Sequence, residues 1–434
     1  MTAVSAADQP MQLVVFSDDW GRHPSSCQHL VRHLLPRVEV VWVNTIGTRR
    51  PSLAPADLGK IVAKLGQWLR PGPAVPRAAA QADGVHRAGP AGPRVVSPPM
   101  YPGFRRAWQR GLNAHLMARR VAKVLGPRQP GVARAGLTTL PVTADLVGRL
   151  DVDRWVYYCV DDFSAWPGLD GAVMDAMERK LVGAVDAIVA VSETLQRRMA
   201  DFGREDVTLL THGIDPEHWH PREGMEAAAE QVAEAALPEW WTSLQRPIAL
   251  FWGVVDPRLD VDLCLAIARE VGSLVLAGPR QGADRALSAA ANIVMPGAVD
   301  YSFLPRLAAA ADCLVMPYAD LPVTRAMQPL KLKEYLATGR PAIVRELPAT
   351  RPWVDAADVV STVEEAVAAL RRCLEEGVPP TQQRARRRLA DETWSAKAQC
   401  LWRLLTEREK AACGQHGDDA GPAAGGPLES RERG

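Results

Sequence analysis

The chain predicts an α/β fold of two Rossmann-like domains facing each other across a cleft, and three observations carry that expectation. Its 434 residues exceed what one hydrophobic core ordinarily serves. Short apolar runs alternate with amphipathic stretches at helical spacing, the pattern of parallel sheets covered by helices. The alternation comes as two consecutive series, parted by an acidic stretch of helical character at 222–246.

In the first series, strands are expected at 11–17 (MQLVVFS), 38–43 (VEVVWV), 155–160 (WVYYCV), 187–191 (AIVAV) and 207–210 (VTLL). Ser25 with Gln28 three residues on forms the capping-box pattern that opens the first helix. Residues 71–100 are rich in Pro, Gly and Ala and read as a loop outside the sheet, followed by a long basic helix over about 104–125. The second series offers strands at 248–252 (IALFW), 273–277 (SLVLA), 293–295, 313–316 (CLVM) and 342–344, with helices near 261–270, 302–311, 329–338 and 363–375. The expected units are therefore 1–221, a connection at 222–246, a second domain at 247–388, a helix at 389–412 packing back on the first domain, and a disordered tail at 413–434. In paired sheets of this kind ligands bind beyond the carboxyl ends of the strands.

Composition narrows the class. With 47% hydrophobic and 23% charged residues the chain reads as globular, and no apolar run reaches the roughly 18–20 residues that span a bilayer. The first residues lack the basic and apolar regions of a secretory signal. Seven scattered cysteines (27, 159, 264, 313, 373, 400 and 413) without a CxxC pair imply reduced thiols in a cytoplasmic protein, with neither a disulfide framework nor a metal site. Charge is uneven: residues 1–150 hold 20 Lys and Arg against 7 Asp and Glu, and the rest hold 31 against 43. An anionic partner for the first half is one consequence, and arginine-rich solvated faces are the other. Nucleic acid is not expected, because no recognition module accompanies the basic half.

The segment MQPLKLKEYLATGRPAIV carries the chemistry. Pro329 suits a helix start and Gly339 the residue past its end, which frames a short helix before a buried strand. Lys331 and Lys333 in its first turn oppose the helix dipole by roughly 0.3–1 kcal/mol each, a penalty that an anionic ligand at the N-terminus would reverse. Glu334, three residues after Lys331, can face the same ligand, and a carboxylate suits a vicinal diol such as ribose. A surface Lys–Glu pair is the competing reading.

This segment resembles the donor-site motif of glycosyltransferase family 4 (glycosyltransferases group 1), of the GT-B fold, where members commonly read P-x-K-x-x-E-Y-L-A-x-G-x-P-V-V. NIVMPGAVDYSFLPRLAAAADCLVMPY, FWGVVDPRLDVDL, VDAIVAVSETLQRRMADFG and LLTHGIDPEHW extend the likeness over about 11–410. The pattern looks like the subgroup with teichuronic-acid-type and other cell-surface polysaccharide transferases. The resemblance implies a nucleoside-diphosphate-sugar donor and retention of configuration; no metal or other cofactor is expected, because neither a DxD motif in a convincing context nor a metal-ligand cluster appears in the sequence. It implies that Glu334 holds the ribose, that Lys331 lies by the phosphates or sugar, and that Gly253 admits the diphosphate backbone. Arg258 would clamp the diphosphate, and the turns at Gly278 and at 299–300 would line the base. Two departures stand out: many members carry a second glutamate where this chain has Ala326, and a second cation beside Arg258 is missing.

The first half would hold the acceptor. Asp161 and Asp162 end a strand and can accept or orient a hydroxyl proton, with loop capping as the alternative. Asp18, Asp19, Gly21, Arg22 and His23 follow the first strand at the same edge, with a simple turn as the alternative, and His212 lies near the domain crossing. Two basic amphipathic stretches, 60–70 (KIVAKLGQWLR) and 104–125, suit peripheral contact with the inner face of the cytoplasmic membrane, core packing being the alternative for the second. The expected function is a hexosyl-type transferase acting on a glycan, lipid-linked or small acceptor. A nucleotide-sugar epimerase of the same fold and a catalytically silent binding scaffold are the rivals.

Overall fold

The computed structural model describes residues 10–21, 25–44, 85–87, 92–101, 103–166, 169–219 and 237–406. The expected elements at 60–70 and 413–434, His23, and the part of the connection at 222–236 lie outside the described residues.

Two parallel sheets form. The first contains β1 (Met11–Ser17), β2 (Glu39–Asn44), β3 (Val85–Arg87), β4 (Arg94–Val96), β5 (Ala133–Thr138), β6 (Arg154–Cys159), β7 (Ala187–Ala190) and β8 (Val207–Leu209), in the order β3-β4-β2-β1-β5-β6-β7-β8. The second contains β9 (Ile248–Trp252), β10 (Ser273–Ala277), β11 (Ile293–Gly297), β12 (Cys313–Met316), β13 (Ala342–Arg345) and β14 (Asp358–Val360), in the order β11-β10-β9-β12-β13-β14. Among the described strands only the β3–β4 pair is antiparallel. Burial on both faces explains the unbroken apolar runs in β1 and β9.

The structure corrects several expectations. Within 71–100, β3 and β4 extend the first sheet beyond β2, because Val95 and Val96 are buried against it despite the surrounding glycines and prolines. Strand β5 was missed altogether. Its Arg134 is buried, bonding Gln12, Asp151 and the Gly126 carbonyl, and Gly136 makes room for Trp155, whose ring would lie 2.7 Å from an added Cβ. The chain crosses between domains ahead of 222–246: Leu210 still belongs to the first core, while Ile214 and Trp219 belong to the second. It returns at 392–394, where Ile214 N donates to Glu392 O at 2.8 Å and Trp394 N to Ile214 O at 3.0 Å. The last described helix, Trp394–Thr406, then packs on the first domain, with Arg154 donating to its Leu404 carbonyl at 2.6 Å. Cys27, Cys159, Cys264, Cys313 and Cys373 are free and buried, whereas Cys400 is disulfide-bonded, a departure from the all-reduced expectation.

The crossing is fastened by Lys333. Its side chain is 2% exposed and donates to Thr211 Oγ1 at 3.2 Å and to the His212 carbonyl, with Glu392 Oε2 at 2.5 Å. Lys397 holds the same carboxylate at 2.7 Å. Burial pushes the Lys333 ammonium down to about 8, which still leaves it charged at neutral pH. Burial raises the Glu392 carboxyl, and the two lysines outweigh it, so that it lies below the usual carboxylate range. Lys333 therefore answers to Glu392, and the paired-lysine phosphate grip reduces to Lys331. Lys333→Met is expected to lower the unfolding free energy by roughly 3 kcal/mol, the low end for breaking a buried pair because Lys397 remains. Adding Glu392→Gln should recover part of that loss. An unchanged urea midpoint for Lys333→Met would contradict this role.

Candidate donor and acceptor site

Parallel strands send their following loops to one edge, so the turns after β9, β10, β11 and β12 meet at the carboxyl end of the second sheet. After β9, Gly253 holds φ +140, and a Cβ there would sit 3.0 Å from Lys331 Nζ and 3.1 Å from its Cε. A Cβ on Gly278, in the next turn, would fall 1.8 Å from the Gly253 carbonyl oxygen. Both positions therefore require glycine, and together they leave the backbone bare beside an ammonium group.

The motif helix runs Leu330–Ala337, opened by Pro329 and followed by Gly339 at φ 74, as its sequence predicts. Lys331 donates to the Tyr318 hydroxyl and lies over the rings of Tyr318 and Phe251, 4.9 and 5.2 Å from their centroids. No carboxylate pairs with it among the described residues. Glu334 is buried, its Oε2 accepting from Trp252 Nε1 and its Oε1 from the Tyr301 hydroxyl, both at 2.9 Å. Burial raises its pKa, opposed by those two hydrogen bonds and by the Lys331 charge. Trp252 is in turn stacked on Trp219 at 5.2 Å and Tyr301 on His218 at 4.6 Å, which fixes both donors.

Arg258 is already engaged: Nε lies 3.0 Å and Nη2 2.8 Å from the Asp256 carboxylate. Its guanidinium also stands 5.4 Å from the ring of Trp166, across the cleft in the first domain. Nη1 stays available, so a diphosphate would share this cation with Asp256. Ala326, in the place of the resembled family's second glutamate, is buried against the first domain, its carbonyl accepting from Ser192 Oγ at 2.7 Å.

On the acceptor side the geometry separates the two aspartates. Asp162 accepts from Ser164 N at 2.9 Å and lies 3.6 Å from Arg198, the loop-capping role. Asp161 is half-buried, and its carboxyl is raised to about 7 by burial, with Arg258 opposing and Asp162 reinforcing. At β1 the Asp18 carboxylate organises the loop. It accepts from Ser25 Oγ at 3.0 Å and Gln28 Nε2 at 2.7 Å, while Gln28 Oε1 accepts from Gly21 N at 3.0 Å. Asp18 is one of the loop residues the sequence offered at this edge, whereas sequence reasoning passed over Tyr301 and Trp252. A hollow of about 310 Å³ is lined by Asp162, Arg198 and Ala326, and one of about 460 Å³ opens by β14, lined by Glu346, Asp358 and Gln382.

His212 is not presented to the cleft. It is 6% exposed at the crossing and tilted against Trp394 at 6.0 Å, and among the described residues neither ring nitrogen has a hydrogen-bond partner. Burial first, then the Lys333 charge, lowers its pKa to about 3. The unfolded imidazole takes up a proton below about 6.5 and the folded one does not, so stability owed to this group is complete above 6.5 and lost as pH falls toward 3. Raised carboxyls such as Asp161 and Glu334 act in the opposite sense, so the clean readout is a difference. The stability of His212→Gln relative to wild type is expected to improve by about 1.4 kcal/mol per pH unit below 6.5. A gap independent of pH would contradict a buried neutral imidazole.

The paired parallel sheets, the cleft between them and the returning C-terminal helix are the GT-B fold. No protein-family model matches the chain. Over 247 residues it is 24% identical to the Bacillus subtilis protein named "Putative teichuronic acid biosynthesis glycosyltransferase TuaH", a match that spans 54% of this chain and 59% of that relative. Among solved structures, Anabaena Alr3699/HepE in complex with UDP aligns over 92% of this chain and 96% of its own, at 12% identity and a TM-score of 0.55. An α,α-trehalose 6-phosphate synthase from Burkholderia multivorans aligns over 92% and 98%, at 15% identity and a TM-score of 0.59.

Proposed function

We propose that this protein transfers a hexosyl unit from a nucleoside-diphosphate sugar to a hydroxyl of a glycan, lipid-linked or small acceptor, with retention of configuration and without a metal. One observation carries the reading: Lys331, which no carboxylate pairs among the described residues, and Glu334 share a helix that faces the bare Gly253 turn. Glu334 takes the ribose hydroxyls, each of its oxygens keeping an acceptor site beyond Trp252 and Tyr301. Lys331 and the free edge of Arg258 meet the charge that builds on the departing diphosphate, the place a metal would otherwise fill. Asp161, facing Arg258 across the cleft, accepts or orients the acceptor proton. Closure of the cleft excludes water. The solved relative HepE was captured with UDP-glucose, which makes a uridine donor the first to try. Work in the cytoplasm, where such donors are made, is part of the same proposal, and so is a cell-surface polysaccharide as the product.

The test is turnover: UDP-, GDP- and TDP-sugars are offered with an acceptor panel, and products are resolved by mass and by configuration. Sugar transfer to an acceptor supports the proposal. Conversion of donor without acceptor would make the chain an epimerase, and nucleotide binding without any turnover would make it a scaffold.

A further inference from the structure

Four large hydrophobic side chains are exposed among the described residues, and three of them, Tyr101, Trp108 and Leu112, fall at the start of the basic helix Ala107–Leu125. The rings of Tyr101 and Trp108 lie 5.1 Å apart, and Leu112 is one turn beyond Trp108 on the same face. Trp108 is 52% exposed. His115 and Arg119 continue that outward stripe, both exposed, and the helix contains no aspartate or glutamate. The inner face, with Ala114, Met117 and Val121, is the one that covers the sheet. Core packing thus uses one side of the helix and leaves the aromatic, cationic side without a partner among the described residues.

Position adds a second argument. Strands β4 and β6 run parallel in one sheet, so the loop that carries Tyr101 and the loop that carries Asp161 leave at the same edge. Arg105, which precedes the helix, pairs with Asp170 of the second loop. The exposed face therefore lies beside the acceptor mouth.

We infer that the face formed by Tyr101, Trp108, Leu112 and Arg119 docks on an anionic bilayer, and that it delivers a membrane-borne acceptor to the Asp161 side of the cleft; the delivery, though not the docking, rests on the proposed function. Tyrosine and tryptophan favour the headgroup region, where an amphipathic ring is half wetted, and arginine is drawn to anionic headgroups. The 20-to-7 excess of cations in residues 1–150 supplies the matching charge.

Co-sedimentation of the full chain with phosphatidylcholine vesicles, with and without phosphatidylglycerol, tests it. Binding is expected with the anionic lipid and should weaken as salt is raised. The double variant Trp108→Ser/Leu112→Ser should lose roughly tenfold or more of that partitioning, and Arg119→Ala about fivefold. Both should keep the wild-type melting temperature and any nucleotide-induced shift. No binding, binding equal on neutral vesicles, or binding untouched by the double variant would overturn the docking. So would a wild-type dimer that the double variant turns into a monomer, since the face would then join two copies. Vesicle binding without any nucleotide effect would instead leave the docking standing and remove the transferase reading.

Discussion

Glu334→Ala is expected to abolish the rise in melting temperature that a nucleoside-diphosphate sugar gives the wild-type protein. The carboxylate is held from both sides, by Trp252 and by Tyr301, and those donors are themselves stacked on Trp219 and His218. What remains on each oxygen is an acceptor site in a fixed place, which is what a diol needs. Hydrogen bonds to a charged group contribute about 1.5–3 kcal/mol each, so losing two on the ligand lowers affinity by roughly two orders of magnitude or more. The same substitution leaves the buried Trp252 Nε1–H unpaired at about 1–3 kcal/mol, and the half-buried Tyr301 hydroxyl without its carboxylate, so the variant should also melt earlier. Tyr301→Phe separates the effects, because it removes one clamp and keeps the carboxylate. Its nucleotide response should survive in weakened form. A full shift in Glu334→Ala would place the nucleotide elsewhere.

Asp161→Asn should lower kcat by roughly 10²–10⁴ with little change in the donor KM, the range for losing a proton acceptor in the transition state. The sign of the pH dependence follows from the raised carboxyl. Burial keeps Asp161 protonated up to about 7, so the form able to accept a proton grows in above that pH. Activity should climb through about pH 7 in the wild type, and that limb should vanish in Asp161→Asn. Asp162→Asn is the control. Asp162 is occupied by Ser164 and Arg198, so its loss should act mainly on loop order. Equal defects from the two variants would contradict the separation.

Much of the fold was legible, and the reason is burial. Strands such as β1 and β9 are covered on both faces and so appear as uninterrupted apolar runs between turn residues. Strand β5 escaped notice for the same physical reason inverted. Its Arg134 is buried but fully bonded and its Gly136 makes room for Trp155, so a central strand carries the composition of a turn. Strands β3 and β4 were hidden by the prolines and glycines around them. At the site, local spacing predicted the motif helix and its two ends, because Pro329 and Gly339 act through neighbouring backbone. It could not predict which way Lys333 turns, since Glu392 lies 59 positions away. Nor could it pair Trp252 and Tyr301 with Glu334, contacts made only when the end of β9, the turn after β11 and the motif helix meet. Asp161 and Asp162 look identical in sequence and are both half-buried, and only the raised carboxyl of the first and the Ser164 cap on the second tell them apart.

The most direct test of the account is a thermal-shift titration of the full chain with UDP, GDP and TDP and their sugar conjugates. At a hundredfold excess over Kd a bound nucleotide should add about 2.7 kcal/mol to the unfolding free energy and raise the melting temperature in proportion. At least one nucleotide is expected to do so, and Glu334→Ala to lose the effect. If none of them shifts the wild-type melting temperature, the second sheet does not hold a nucleotide sugar and the proposed transferase fails.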